Sequence, residues 1–208
     1  LAKPEIGSVE YAVQYHLYQD EAPVFYVENT LINGLFGLLC WQTIFAPVPG
    51  AFFHPFHVGP ADLTREDFVS RRQASFEQCF GLLADGRYRD RILDNYRAKR
   101  GTTNPFVIWP VITEELLSLA LDCIPAEDLE RLFRRLLLNI REHRSGFPDL
   151  IRFFPGATDT AKRYEMIEVK GPGDRLQDHQ IRWLEFFAAE GIPASVCYVR
   201  WQGDGVME

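Results

Sequence analysis

Phe147-Pro148-Asp149-Leu150-Ile151-Arg152-Phe153-Phe154, followed by Tyr164-Glu165-Met166-Ile167-Glu168-Val169-Lys170, reads as two strands joined by a loop over residues 155–161. Side chains alternate faces along a strand, so Glu168 and Lys170 project to one side while Ile167 and Val169 pack on the other. Downstream, Leu176 to Glu190 has the periodicity of an amphipathic helix closed by Gly191, and Ala194 to Trp201 reads as a last strand. Strand, strand, helix, strand is an α/β order.

Upstream of the hairpin the pattern is helical. Ser8 suits the N-cap of a helix running to about Gln19. The apolar run Val24 to Val27 leads to Glu28, and Thr30 to Phe45 reads as one helix apolar on nearly every face, hence a core helix. It ends at Ala46-Pro47-Val48-Pro49-Gly50. Thr64 with Asp67 resembles a capping box, and Gly81 and Gly86 are expected to divide the helical stretch from Thr64 to Arg100. Further helices are expected from Thr113 and from about Pro125, the second ending before Gly146. With the core helix after Glu28 packed on the same sheet, the expectation is an α/β sandwich with a long helical insertion. Residues 1–60 would carry the N-terminal helices of the core, residues 61–145 the insertion and residues 146–208 the hairpin, helix and strand, all in one compact domain.

Composition narrows the class. Of the 208 residues 47% are hydrophobic, ample for a sizeable core, yet no run suits a bilayer span or a signal peptide. A start at Leu1 points to a piece of a longer protein. A formal charge of −7 argues against coating nucleic acid by bulk electrostatics. Arginine is nevertheless clustered from Arg87 to Arg100 and from Arg131 to Arg152, either as phosphate-tracking patches or as solvated helix faces. Cys40, Cys79, Cys123 and Cys197 are scattered through apolar stretches, which fits reduced, buried thiols and an intracellular location. His54 and His57 have a spacing that suits a metal but no nearby carboxylate.

The chemistry concentrates at the hairpin. With Asp149 at the start of one strand beside Glu168 and Lys170 on the next, two carboxylates and an amine converge. Together with the Val169 main-chain carbonyl they suit a hard divalent cation, Mg²⁺ or Mn²⁺. Such an ion would polarise a phosphodiester and make water more acidic. Lys170 could orient or deprotonate that water, or stabilise developing negative charge.

The continuation Glu168-Val169-Lys170-Gly171-Pro172-Gly173-Asp174-Arg175-Leu176, then Gln180 and Trp183-Leu184, resembles the virus-type replication–repair nuclease module (VRR-NUC) of the PD-(D/E)xK superfamily. Ser8-Val9-Glu10, Glu28, Leu35 to Trp41, and Asp62-Leu63 to Arg71-Arg72 extend the likeness to the C-terminal nuclease region of the Fanconi-associated nucleases. The resemblance implies a restriction-endonuclease-like mixed sheet flanked by helices. It makes Asp149, Glu168 and Lys170 the catalytic motif, with Glu28 completing the metal site. Val27 and Asn29 stand where the family usually places glycines around that glutamate. Arg175 and Gln180 match the family's last motif. Arg175 could hold a phosphate, Gln180 could hold a water at the ion or the substrate, and each could equally be structural.

Activity is implied by the same likeness: 5′-flap endonuclease and 5′→3′ exonuclease action on branched or flapped DNA, in interstrand-crosslink repair. DNA-binding and helical-repeat domains would lie upstream in the same polypeptide. Localisation would be the cytoplasm or nucleoid of a bacterium, or a eukaryotic nucleus. Two other readings stay open, a dimeric Holliday-junction resolvase and a catalytically silent DNA-binding scaffold. The intact Asp149, Glu168 and Lys170 set argues against the second.

Overall fold

Leu150–Phe153 (β2) and Tyr164–Lys170 (β3) pair antiparallel, with Leu150 opposite Ile167 and Phe153 opposite Tyr164. The computed structural model, which describes Leu1 and residues 7–54 and 58–202, adds a strand on each side; His57 lies outside the described residues. Val24–Tyr26 (β1) runs antiparallel to β2, and Ala194–Tyr198 (β4) runs parallel to β3, giving the mixed order β1-β2-β3-β4. The parallel step needs a crossover, and the helix Asp178–Glu190 supplies it. That helix starts two residues later than its periodicity suggests, because Gln177 and Gln180 form a capping box, and it ends as expected at Gly191 in the left-handed conformation. One face of the sheet buries Val24, Leu150, Ile167, Val169 and Val199 against Val13 of the first helix, Val9–Leu17 (α1).

The described residues of Leu1–Asn29, Asp122–Ile124 and Ser145–Glu208 form this sheet-bearing unit, and Thr30–Leu121 with Pro125–Arg144 form a second, helical one. Its centre is Leu31–Leu39 (α2), all nine residues of which are buried. Phe36 sits among Phe76, Phe106 and Phe133, with ring centroids 4.9–6.0 Å away. Gly37 is required there: a Cβ would come within 2.8 Å of the Phe106 Cβ. The single helix expected over residues 30–45 is broken at Cys40, whose ψ of 20° leaves the helical region, and Trp41–Ile44 (α3) follows. Side-chain amides satisfy carbonyls beside the break, from Asn95 to Leu38 at 2.7 Å and from Asn104 to Gly37 at 3.4 Å.

Gln73–Ala84 (α4) and Tyr88–Lys99 (α5) come next. Gly86, at φ +81°, divides them as expected, but Gly81 lies within α4 and breaks nothing. Glu114–Cys123 (α6) follows, its Leu116 N–H held by Thr113 Oγ1; then Ala126–Leu138 (α7) and Ile140–His143 (α8) come in place of one continuous helix. The crossover helix Asp178–Glu190 is α9. Among the described residues no helix is long and apolar enough to cross a membrane.

The capping box expected at Thr64 and Asp67 is not used, and α4 begins only at Gln73. Asp67 instead pairs with Arg65 and Arg71, while the chain winds around Asp62. Asp62 is 1% exposed and accepts from both terminal nitrogens of Arg72, at 2.8 and 3.1 Å, and from Arg71 at 3.2 Å. Arg72 also lies over the Phe68 ring at 4.2 Å. Removing one partner of such a pair strands a buried charge, so Asp62→Ala is expected to cost about 3–5 kcal/mol of stability, read from urea unfolding, with Asp62→Asn losing less.

Candidate active site

The hairpin register sets the site. Asp149 immediately precedes the Leu150–Ile167 pair, so it stands opposite Glu168 at the end of the hairpin. Its backbone carbonyl accepts from Val27 N–H at 2.8 Å, and its Oδ2 accepts from Val169 N–H at 2.8 Å. Two strands therefore hold this carboxylate by main-chain bonds. Glu168, 1% exposed, accepts on Oε1 from Lys170 Nζ and from Gln180 Nε2, both at 2.6 Å. Gln180 is fixed in turn, because its Oε1 accepts from Gln177 N–H at the start of α9. Lys170 is itself only 7% exposed.

Glu28 lies just beyond β1 and is held from two sides. Tyr26 donates its hydroxyl to Oε2 at 2.6 Å, and Asn29 donates its amide to Oε1 at 3.3 Å. Asn29 has φ +52°, a left-handed conformation that explains a glycine-like requirement at this position. Its Oδ1 also accepts from Phe147 N–H at 3.0 Å, so one side chain ties Glu28 to the segment that delivers Asp149. Gly146, at φ +92°, lets that segment pass α9; a Cβ there would meet the His179 carbonyl oxygen at 2.7 Å.

Burial raises the Asp149 carboxyl to about 6, the Val169 N–H bond and Lys170 working against it and the charges of Glu10 and Glu28 adding to it. Burial likewise raises Glu168 to about 7, against the Lys170 hydrogen bond and with repulsion from Asp149 and Glu28. The Tyr26 phenol is pushed up by burial first and then by its bond to Glu28, so it keeps the proton it donates. Carboxyls that resist ionisation because of burial and one another's charge are groups that a cation would relieve. Asp149 Oδ1 and Glu168 Oε2 carry no hydrogen bond among the described residues, and all the donors are hard oxygens. As they stand, no three His, Cys, Asp or Glu side chains among the described residues are gathered closely enough to share an ion.

The sequence of the VRR-NUC domain family matches residues 83–201, more than half of the chain and the whole hairpin, turn and helix. The chain belongs to the VRR-NUC family. Relatives of this VRR-NUC chain include the Fanconi-associated nuclease 1 homolog of Pseudomonas aeruginosa, 57% identical over 95% of this chain and 34% of that protein. The Fanconi-associated nuclease 1 homolog of Caenorhabditis briggsae is 35% identical over 98% of this chain and 24% of its own length. A crystal structure of paFAN1 bound to 2nt 5′-flap DNA with gap superposes with a TM-score of 0.93 at 57% identity, covering 99% of this chain and 37% of that one. This chain thus spans about a third of the first relative it matches. The shared fold is the restriction-endonuclease-like one expected from the motif. Nucleases of this kind are generally metal-dependent.

Of the residues singled out from sequence, Glu168, Lys170 and Gln180 form one hydrogen-bonded constellation, Asp149 stands beside it on the Val169 N–H, and Glu28 acts on both carboxyls through charge. Arg175 is not drawn in: it is exposed and has no ion pair among the described residues. Several clustered arginines are engaged locally, Arg87 with Asp85, Arg97 with Glu114, and Arg134 with Glu77 and Glu130. Cys40, Cys79 and Cys123 are buried free thiols and Cys197 is half-buried. Tyr26, Asn29 and Glu10 were not expected at the site. Strand alternation could have found Tyr26, two residues before Glu28.

The raised carboxyls have a stability consequence in metal-free buffer. Their folded-state values of about 6 and about 7 lie above the ordinary 3.8 and 4.5, so their stabilising contribution is fully present at low pH and is lost as pH rises through that window. Relative to an Asp149→Asn, Glu168→Gln double variant, the melting temperature of the protein is expected to fall as pH rises from about 4 to about 7.5. A pH-independent difference would contradict the burial described above.

Proposed function

We propose that this chain is the catalytic segment of a structure-specific DNA nuclease, a 5′-flap endonuclease or 5′→3′ exonuclease that hydrolyses phosphodiesters in intracellular DNA repair, including repair of interstrand crosslinks. The observation that carries this reading is the buried Asp149–Glu168–Lys170 cluster at the end of the β2–β3 hairpin. The DNA in the paFAN1 crystal structure supports the substrate class. The shares of its relatives that this chain leaves uncovered support further DNA-binding and helical-repeat domains in the same polypeptide.

Mg²⁺ or Mn²⁺ is the ion that the hard-oxygen donor set fits, and Asp149, Glu168 and Glu28 with the Val169 carbonyl would hold it. When bound it supplies positive charge at the scissile phosphate and makes water more acidic. The remaining chemistry belongs to the chain. Lys170 holds its ammonium against Glu168, where it can orient the attacking water and offset negative charge building on the phosphate. Gln180 donates to the same Glu168 oxygen as Lys170 and so helps to fix that carboxylate. Tyr26 and Asn29 hold the exposed Glu28 carboxylate in one place. Arg175, exposed beyond the Gly171-Pro172-Gly173 turn, is available to a phosphate.

Asp149→Asn is a cleaner test than alanine, because the amide oxygen can still accept from the buried Val169 N–H, whose loss of a partner would itself cost about 1–3 kcal/mol. Asp149→Asn and Lys170→Ala are each expected to lower cleavage of 5′-flap DNA with Mn²⁺ by about two orders of magnitude or more. Asp149→Asn should also weaken Mn²⁺ binding measured by calorimetry. Wild-type cleavage rates in either folded variant would remove these residues from the site.

A further inference from the structure

Helix α1 turns its apolar face inward. Val13 is 1% exposed, and Val9 and Leu17 pack against the sheet core beside it. The opposite side of the helix carries Tyr11, Tyr15 and, just past its last turn, Tyr18, which are 56%, 88% and 50% exposed. Spaced i, i+4, i+7, they line up as one stripe. Single exposed aromatics are ordinary, but three on one short face leave a good deal of ring surface in water. The stripe also leads somewhere: the Tyr11 ring lies 5.4 Å from the Tyr26 ring, and Tyr26 donates to Glu28 of the candidate active site.

We propose that Tyr11, Tyr15 and Tyr18 form a stacking platform for unpaired nucleotides of the DNA substrate, leading the strand toward Glu28. The proposal rests on the nuclease reading above and adds the class of DNA element that this face receives. Tyrosine rings offer rigid faces on which any base can stack, at about 1–3 kcal/mol per base. A rise of about 6 Å separates residues four apart on a helix. That is wider than the roughly 3.4 Å between stacked bases of a duplex strand, so the platform suits an unpaired, extended strand. The catalytic carboxylates at one end of the stripe favour a substrate strand over a second copy of this chain as its occupant.

The test is equilibrium binding of 5′-flap DNA and of the same nicked duplex without its flap, in EDTA so that neither is cut, with 2-aminopurine in the flap. The protein is expected to prefer the flapped DNA and to quench the 2-aminopurine. Tyr15→Ala should reduce that preference at least about five-fold, Tyr15→Trp should restore it, and the salt dependence should stay unchanged because no phosphate contact is lost. Tyr15 is the most exposed of the three, and thermal unfolding checks that the variants fold. Equal weakening toward both DNAs, an unaltered preference in Tyr15→Ala, or self-association of the protein through this face would overturn the proposal. Flap cleavage by the wild type with Mn²⁺ reports on the nuclease reading separately, so the two can fail independently.

Discussion

Burying two carboxyl groups opposite each other on adjacent strands is the constraint that the sheet-bearing unit is built around. Neither Asp149 nor Glu168 is left to face its neighbour's charge unsupported. Val169 N–H and Lys170 provide the opposing polarity, and Gln180 carries the support into α9. Each of these partners is fixed by ordinary structure: a ladder position, a strand residue two along, the third residue of a helix. The cost of burial is therefore offset by groups that are already ordered.

Much of this was legible in the sequence because it follows from strand periodicity. The alternation of Glu168, Val169 and Lys170 already separates polar from apolar faces, and the pairing of Leu150 with Ile167 puts Asp149 across from Glu168. Gly191 marks the end of α9 in the letters themselves, whereas its start at Asp178 depends on the Gln177–Gln180 box, which the apolar periodicity from Leu176 does not show. Helix interruptions were harder to see. Nothing in an apolar run from Thr30 to Phe45 announces the turn at Cys40, because the asparagines that satisfy the freed carbonyls lie at positions 95 and 104. Likewise Thr64 and Asp67 carry a helix-start signature that is overridden by the buried Asp62–Arg72 pair, a tertiary contact invisible to local pattern.

The same distinction applies at the site. Glu28 was recognisable only through family likeness, since its tie to the hairpin runs through Asn29 and Phe147. Asn29 accounts for one of the two departures from the family's glycine-flanked pattern, Val27 being the other. The asparagine adopts the backbone conformation a glycine would and adds two hydrogen bonds that a glycine lacks. Arg175, by contrast, was singled out by motif position alone, and no partner among the described residues fixes it.

That bond from Asn29 to Phe147 joins residues 118 apart in the chain. Along the chain, the first strand of the sheet and its partner are separated by the whole of the helical unit. A contact of such high order closes late, because the intervening loop entropy must be met before the pairing rewards it. During synthesis the ribosome releases Glu28 long before Asp149, and β4, which completes the sheet beside Lys170, comes later still. A chain interrupted anywhere within the helices would lack the pairing that sets β1 beside β2 and the Val27 N–H against the Asp149 carbonyl. Closure of the sheet around Asp149 and Glu168 therefore waits until the chain on both sides of the helical stretch has been made.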